Sequence, residues 1–244
     1  MSKKPPKVSH GVIYYRVDPI SGYQILLIKK SSTYAFCDFV NGRYRGLQQL
    51  SQMLNNMSYQ EKRDITMLNF ATLWYKTYNE FPEQLYYTRN RESYRNEMYY
   101  KCKSLFESSF LQDGGTKLKQ LLSGTSNAEP LWEIPKGRAI KKEQPITAAM
   151  REFREETGID PQSINTRVRP FVECYTDNGV TYKNNYYFAK CDDESNTNAS
   201  ATFDIKNNEV TGIQWFSIIK IRELFAECEI RKYSKIIAAI KKIR

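Results

Sequence analysis

The chain has 244 residues, of which 41% are hydrophobic, and this is enough to build a substantial folded core. Its 37 lysines and arginines exceed its 27 aspartates and glutamates, and the resulting charge of +10 favours an anionic partner such as nucleic acid or nucleotide phosphates. The chain has a single histidine, His10, which excludes histidine-rich metal sites and argues against a Ser-His-Asp triad. We interpret His10 as a polar residue beside the first strand.

The first predicted elements are two β-strands. Apolar and β-branched residues run from Gly11 to Val17 and from Tyr23 to Lys30, on either side of the turn sequence DPISG, which is typical of a β-hairpin. From Ser58, a candidate N-cap residue, apolar residues recur near a 3.6-residue period and predict one continuous helix. Its buried face is expected to contain Ile65, Leu68, Phe70, Leu73, Trp74 and Tyr78.

The helical pattern continues from about Phe36 to Asn127. A compact domain does not hold about ninety residues of loop, so this region should fold in its own right. We therefore predict a discontinuous domain of residues 1–36 and 128–244, interrupted by an inserted helical, RNA-binding domain of residues 37–127. Basic residues among tyrosines suit backbone contacts combined with base stacking, although the tyrosines are equally compatible with a core and the charges with solvated helix faces. The basic residues are Arg89, Arg91, Arg95, Lys101 and Lys103, and the tyrosines are Tyr86, Tyr87, Tyr94, Tyr99 and Tyr100.

Strands return after the insert. Two alternating runs between Pro170 and Cys191 flank the turn sequence DNG and predict a second hairpin, and EVTGIQWFSI, which starts at Glu209, predicts a last strand. From Ile218 onward, apolar residues at mostly helical spacing predict a helix docked on the sheet. Its other side carries the basic residues Arg231, Lys232, Lys235, Lys241, Lys242 and Arg244. This side is either a solvated face or part of a surface that binds the phosphates of a polyanion.

The segment from Pro145 to Thr157 predicts a helix with an unusual acidic flank. Pro145 suits the first helical turn and Gly158 suits a left-handed C-cap. The buried face should contain Ile146, Ala149, Met150 and Phe153, which leaves Glu152, Glu155 and Glu156 together on one flank at spacings of three and four residues. Their mutual repulsion is offset if they bind a hard divalent cation, while an ordinary solvated acidic face is the alternative.

The acidic helix and the loop before it follow a specific pattern. Over twenty-three residues, the chain has Gly137, Glu143, Arg151, Glu152, Phe153, Glu155, Glu156, Gly158 and Ile159 at the spacing of the motif GX5EX7RE-apolar-XEEXG-apolar. The sequence thus resembles the Nudix hydrolases. That resemblance implies an α/β fold, an α/β/α sandwich around a mixed sheet, here with the inserted helical domain. It also implies an enzyme that uses water to split a diphosphate linked to another group, with Mg²⁺ or Mn²⁺ as cofactor.

The same resemblance implies roles for individual residues. Glu152, Glu155 and Glu156 correspond to metal ligands, and a backbone carbonyl near Lys136 or Gly137 adds another. Arg151 is expected to pair with Glu143 or another carboxylate and to hold the preceding loop against the helix. The general base is Glu155, Glu152 or an acid from a later loop such as Glu209, which is otherwise a metal ligand or an ordinary surface residue. Lys7, Lys136 and Lys141 are expected to meet the scissile phosphates or the rest of an RNA substrate.

Resemblance outside this motif points to one branch of the family. The runs LNNMSYQEKR and LNFATLWYKTY, together with LWEIPKGR, resemble the mRNA-decapping Nudix enzymes of large cytoplasmic DNA viruses, of the African swine fever virus and giant-virus type. This implies cleavage of capped mRNA to 7-methyl-GDP and 5′-monophosphate RNA. One alternative is a pyrophosphatase acting on diphosphoinositol or dinucleoside polyphosphates. The other is a noncatalytic RNA-binding protein, and the complete set of motif glutamates argues against this second alternative.

The cysteines and the chain start bear on location. Five cysteines without a CxxC pair favour a reducing compartment, and neither a secretory signal nor a membrane-spanning apolar run is expected. We therefore predict a cytoplasmic protein, in the host cytoplasm if it is viral, with packaging in the virion as a further expectation from the resemblance.

Overall fold

The computed structural model describes residues 5–81, 92–129, 131–161, 163–177, 179–191 and 209–243. The chain divides into two compact units, one formed by Met1–Lys29 with Trp132–Arg244 and the other by Lys30–Leu131. The second unit is wider than the range 37–127 expected from sequence. Thr33 explains this at the start, because it caps the first helix of the second unit and bonds to Glu61 within it.

Within the described residues, one mixed sheet of seven strands organises the first unit, in the order β3-β2-β1-β6-β5, with β4 paired to β1 and β7 paired to β2. The pairing of β1 with β2 confirms the first predicted hairpin, and β1 also runs parallel to β6. The strands are β1 (Lys7–Asp18), β2 (Gly22–Lys30), β3 (Trp132–Glu133), β4 (Lys136–Gly137), β5 (Phe171–Asp177), β6 (Val180–Lys190) and β7 (Val210–Ser217).

Helices cover both faces of this sheet. Neighbouring residues of a strand point to opposite faces, and β1 accordingly sends Val12 and Tyr14 towards α7 (Pro145–Thr157) but Ile13 and Tyr15 towards α8 (Ile218–Leu224) and α9 (Glu227–Ile240). One core contains Ala149 and Phe153 of α7, and the other contains Ile221, Tyr233 and Ile236 of α8 and α9. This is the α/β/α sandwich that the resemblance to the Nudix hydrolases implies.

The C-terminal helix differs from its prediction. Instead of one helix there are two, because Ser217 caps α8, which ends at Leu224, and Phe225 is extended before α9 begins at Glu227. One residue of its predicted basic side, Lys232, points inward and forms ion pairs with Glu173 and Glu229 at 3.2 and 3.3 Å. Arg244 lies outside the described residues.

The second unit is helical and has a core of its own, formed by residues such as Phe36, Trp74 and Phe106. The helix predicted from Ser58 is two helices, since Leu68 is extended and Asn69 caps a new helix through its bond to Thr72 N. The described helices are α1 (Tyr34–Val40), α2 (Gly46–Asn55), α3 (Tyr59–Met67), α4 (Phe70–Tyr78), α5 (Glu92–Phe110) and α6 (Thr116–Leu122).

The first turn of α3 ties together the two ends of this helical unit. Buried Glu61 accepts hydrogen bonds from Thr33 N at 2.6 Å, Thr33 Oγ1 at 2.8 Å and Ser58 N at 2.8 Å. The next residue, Lys62, donates to Ser126 O and to Asn127 Oδ1. The entry and the exit of the unit are therefore fixed to the same helix turn. Among the residues that the structure describes, no helix combines the length and apolar character needed to cross a bilayer.

Candidate active site

Helix α7 carries the predicted acidic flank and ends where the sequence predicts. Its first residue is Pro145, and Gly158 forms a left-handed C-cap with φ of 71°. Phe153 anchors the helix on the sheet, with its ring 5.2 Å from that of Tyr14. The three flank glutamates do not share one environment, because the exposed fraction is 54% for the Glu155 side chain, 18% for that of Glu152 and 4% for Glu156.

Glu156 joins the helix to strand β4. Its Oε2 accepts a hydrogen bond from the backbone N–H of Lys136 at 2.9 Å. A buried carboxylate is costly unless it is hydrogen-bonded, and this bond meets part of that need. It also fixes β4 against α7 at the point where β4 pairs with Gly11 and His10 of β1.

Gly137 makes room for Glu152. A Cβ atom at position 137 would lie 2.0 Å from Glu152 Cδ and 2.1 Å from its Oε2. The glycine is therefore required by close approach of a carboxylate, not by its backbone torsion. Burial raises the pKa of Glu152, Arg151 opposes that shift, and the charges of Glu155 and Glu209 add to it.

Arg151 gathers the acids of the loop and the helix. It donates to both oxygens of Glu143, at 2.9 and 3.0 Å, and to Arg138 O at 3.0 Å. Its Nη1 also donates to Glu152 Oε1 at 2.8 Å and Glu155 Oε2 at 3.0 Å. The hydrogen bonds from Arg151, followed by that from Ile140 N, lower the pKa of Glu143. Arg151 and Glu143 thus hold the loop on the helix, as expected.

The three predicted phosphate-binding lysines lie in different settings. The Lys136 ammonium donates to Glu133 Oε2 at 2.6 Å, and only 12% of its side chain is exposed. Burial acts to lower its pKa, but Glu133 outweighs this and the pKa is raised. Lys141 is exposed in the loop after β4. Lys7 lies at the start of β1, with its ammonium 5.5 Å from the centre of the Tyr182 ring.

Two further residues lie beside the glutamates. Glu209 is exposed and lies just before β7, and its charge raises the pKa of Glu152. His10 is buried opposite Gly137, with its ring 6.5 Å from that of Tyr187, and burial lowers its pKa while the charge of Glu143 raises it. Its Nδ1 has no hydrogen-bond partner within the described chain. No local pattern indicates that His10 lies beside the motif loop, because only the register of β1 with β4 brings it there.

The comparisons with known proteins identify the family. Residues 111–235, just over half of the chain, match the NUDIX domain. The chain belongs to the Nudix family. It is 30% identical over 228 residues to mRNA-decapping protein g5R of African swine fever virus isolate Pig/Kenya/KEN-50/1950, covering 88% of this chain and 87% of that protein. The g5R of isolate Warthog/Namibia/Wart80/1980 is 29% identical with the same coverage of both chains.

Solved structures of the family resemble the chain more distantly. An Ap4A hydrolase from C. elegans, in a binary complex, has 14% identity and a TM-score of 0.43, with 95% of this chain and 98% of that chain covered. A mutT/nudix family protein from Listeria innocua has 16% identity and a TM-score of 0.43, with 98% and 97% covered. Similarity of this degree carries no information on the substrate.

The donor atoms of the Nudix site fit a hard divalent cation, which prefers oxygen ligands. No hydrogen bond within the described chain reaches Glu152 Oε2 or Glu155 Oε1, so each of these carboxylates keeps one oxygen available. In the described ranges, however, no three His, Cys, Asp or Glu side chains are close enough to hold one ion as placed. Arg151 now bridges Glu152 and Glu155, and Glu155 is exposed enough to reorient.

The predicted RNA-binding residues of the helical unit are partly visible. Arg89, Arg91, Tyr86 and Tyr87, and the side chain of Tyr94, lie outside the described residues. Arg95 pairs with Glu80 and lies over the ring of Tyr78 at 5.5 Å, and Lys103 pairs with Glu107 at 3.8 Å. Lys101 and Tyr100 are exposed on α5, whereas Tyr99 is buried in the core. The tyrosines thus divide between the two roles that the sequence leaves open.

Proposed function

We propose that this Nudix hydrolase removes the 5′ cap of mRNA, releasing 7-methyl-GDP and RNA with a 5′-monophosphate. The observation that carries the proposal is the extent of the similarity to mRNA-decapping protein g5R. It covers 88% of the chain, so it extends through the helical unit as well as the Nudix unit. A relative that shared the hydrolytic site alone would not match the insert.

The charge of the chain supports a long polyanion as substrate. A free nucleotide needs a single pocket. RNA has many phosphates, and each lysine or arginine that neutralises one of them releases counterions and raises the affinity. The net charge is +10 although the catalytic helix is acidic. In this proposal Lys101, Lys103, Arg89, Arg91 and Arg95 of the helical unit contact RNA, and Lys7 and Lys141 of the Nudix unit contact the cap phosphates. The Lys136 ammonium is paired with Glu133. In this proposal Lys136 therefore contributes its backbone carbonyl as a metal ligand, and not its charge.

The proposed chemistry uses Mg²⁺ or Mn²⁺ with Glu152, Glu155 and Glu156 as ligands. When bound, such an ion neutralises phosphate oxygens and lowers the pKa of a water molecule. Glu156 is already fixed by Lys136 N, and Glu152 by Gly137 and Arg151. Glu155 and Glu209 are the exposed acids beside them, and we propose these two as the acceptors for the proton of the attacking water.

One experiment tests the activity. Cap-labelled RNA, free cap analogue and a diphosphoinositol polyphosphate are each incubated with the protein and magnesium. The expected result is labelled 7-methyl-GDP from long RNA. If that product never forms while the small substrates are hydrolysed, decapping is rejected and the protein is a pyrophosphatase for small polyphosphates. Because the relatives named g5R are viral, the host cytoplasm is the proposed place of action.

A further inference from the structure

A strand of two residues, β4, holds the motif loop beside the glutamates. It pairs with β1, and the backbone N–H of its first residue, Lys136, donates to Glu156 Oε2 at 2.9 Å. The preceding strand β3 pairs with β2 instead, through its last residue, Glu133. The chain therefore turns a corner in the sheet between Glu133 and Lys136. Because so short a strand makes few ladder hydrogen bonds, side-chain contacts must contribute to its position.

An ion pair closes this corner. The Lys136 ammonium donates to Glu133 Oε2 at 2.6 Å, and each of the two side chains is only 12% exposed. The charges of both residues act on the phenol of Tyr186, which belongs to the core beside α8 and α9. A pair that is buried in this way is screened far less by solvent and salt than a pair at the surface.

The backbone around Lys136 has little room to move. A Cβ atom at Gly11 of β1 would lie 2.8 Å from Lys136 Cβ, so β1 approaches the corner as closely as a glycine allows. Gly137, the second residue of β4, lies against the carboxylate of Glu152. A displacement of Lys136 would therefore shift the groups that contact Glu152 and Glu156.

Glu133 is the carboxylate that keeps Lys136 charged in this buried position. Burial acts to lower the pKa of Lys136, but Glu133 outweighs burial and the pKa is raised. Removal of one partner of a buried ion pair leaves an uncompensated charge, whereas replacement of both partners by uncharged groups is often neutral for stability. The effect of the pair on folding can therefore be separated from its effect on the position of β4.

We propose that Glu133 is a positioning residue for the metal site. By pairing with the Lys136 ammonium it fixes the Lys136 backbone, whose N–H binds Glu156 and whose carbonyl is a metal ligand in the proposed function. The inference rests on that proposed metal site. It differs from a phosphate-binding role for the Lys136 side chain, because the ammonium is bound within the protein.

The test measures Mn²⁺ binding by calorimetric titration of the full chain without substrate. Glu133→Gln keeps the shape of the side chain but removes its charge, and the Kd for Mn²⁺ should rise about tenfold, as when a residue that holds a metal ligand is lost. With capped RNA, this variant should need more Mg²⁺, while kcat and KM at saturating Mg²⁺ stay within about twofold of wild type. Lys136→Met should behave in the same way. A raised KM with unchanged Mn²⁺ affinity in Lys136→Met would overturn the proposal in favour of phosphate binding.

Two comparisons show whether the residues act as a pair. In Glu133→Gln/Lys136→Met neither charge remains, and the Kd for Mn²⁺ should match that of either single variant within about twofold. A rise of about one hundredfold, the product of two independent effects, would overturn the pairing. Glu229→Gln is the matched control, because it removes a partner three residues before the partly buried Lys232 of α9. Its Mn²⁺ affinity should equal that of wild type.

Folding is followed separately, by thermal unfolding of each variant in EDTA. Lower stability combined with wild-type Mn²⁺ affinity would show a merely structural pair and overturn the proposal. If Glu133→Gln does not fold, Glu133→Asp replaces it, since it keeps the charge but is one methylene shorter, and unchanged affinity would then count equally against the proposal. A wild-type protein that does not bind Mn²⁺ would reject the proposed metal site itself. Absence of 7-methyl-GDP release would instead reject decapping and leave the Mn²⁺ titrations valid.

Discussion

Gly137→Ala is the substitution for which the structure gives the clearest magnitude. The added Cβ would lie 2.0 Å from Glu152 Cδ, whereas ordinary contacts begin at 3.4 Å, so the carboxylate must move by roughly 1.4 Å. The φ of Gly137 is not in the left-handed region, and alanine therefore fits the backbone. Misplacement of a catalytic group by about 1 Å costs about 100-fold in rate, and we expect a fall in kcat of this size.

The assay is steady-state hydrolysis of capped RNA, with RNA binding and thermal unfolding measured on the same protein. RNA binding and stability should be nearly unchanged, because the glycine touches a partly exposed side chain. Gly212→Ala is the matched control: its Cβ would meet Trp132 Cη2 at 3.2 Å, and we expect kcat within about twofold of wild type. Shortening the acid should partly restore activity, so Gly137→Ala/Glu152→Asp should exceed Gly137→Ala. A Gly137→Ala enzyme with kcat within threefold of wild type would refute the reasoning.

The remaining predictions concern the charge of the site, the RNA contact and stability. Glu156→Gln, which keeps the side-chain shape but removes the charge, should abolish turnover while RNA affinity measured by filter binding stays near wild type; loss of both would show that Glu156 has a structural role. Lys101→Glu should weaken RNA binding and reduce its salt slope by about one, with Lys101→Arg unchanged; an equal slope in both variants removes Lys101 from the RNA contact. Glu61→Ala leaves three buried donors without their acceptor and should destabilise the protein by about 2–4 kcal/mol in chemical denaturation, against little change for the exposed Glu97→Ala. Burial acts to raise the pKa of Glu173, but Lys232, Asn184 and Tyr186 outweigh it and lower the pKa below its unfolded value. The stability it contributes is therefore present above the unfolded pKa and lost as pH falls through the folded pKa, and Glu173→Gln should flatten that acid limb in unfolding measured across pH.

Local patterns sufficed for several elements. The bounds of α7 follow from its terminal residues, since Pro145 fits the first turn and Gly158 supplies the left-handed cap. The first hairpin follows from two runs of apolar and β-branched residues on either side of a turn sequence. The same reasoning failed at Leu68 and at Phe225, where apolar residues keep a helical period across a break in the backbone. Asn69 could have indicated the first of these breaks from the sequence. In the structure its side chain caps the new helix by accepting a hydrogen bond from Thr72 N.

What the sequence by itself determined is the helix and the family: its spacing brings Arg151, Glu152, Glu155 and Glu156 to one helix and matches the Nudix motif. The tertiary structure decided how these acids differ. Glu156 is buried and accepts a hydrogen bond from Lys136 N, and Glu152 lies against Gly137. Strand register alone brings His10 opposite Gly137 and Tyr175 opposite Tyr182. Such pairings join residues that are distant along the chain, and no local periodicity encodes them.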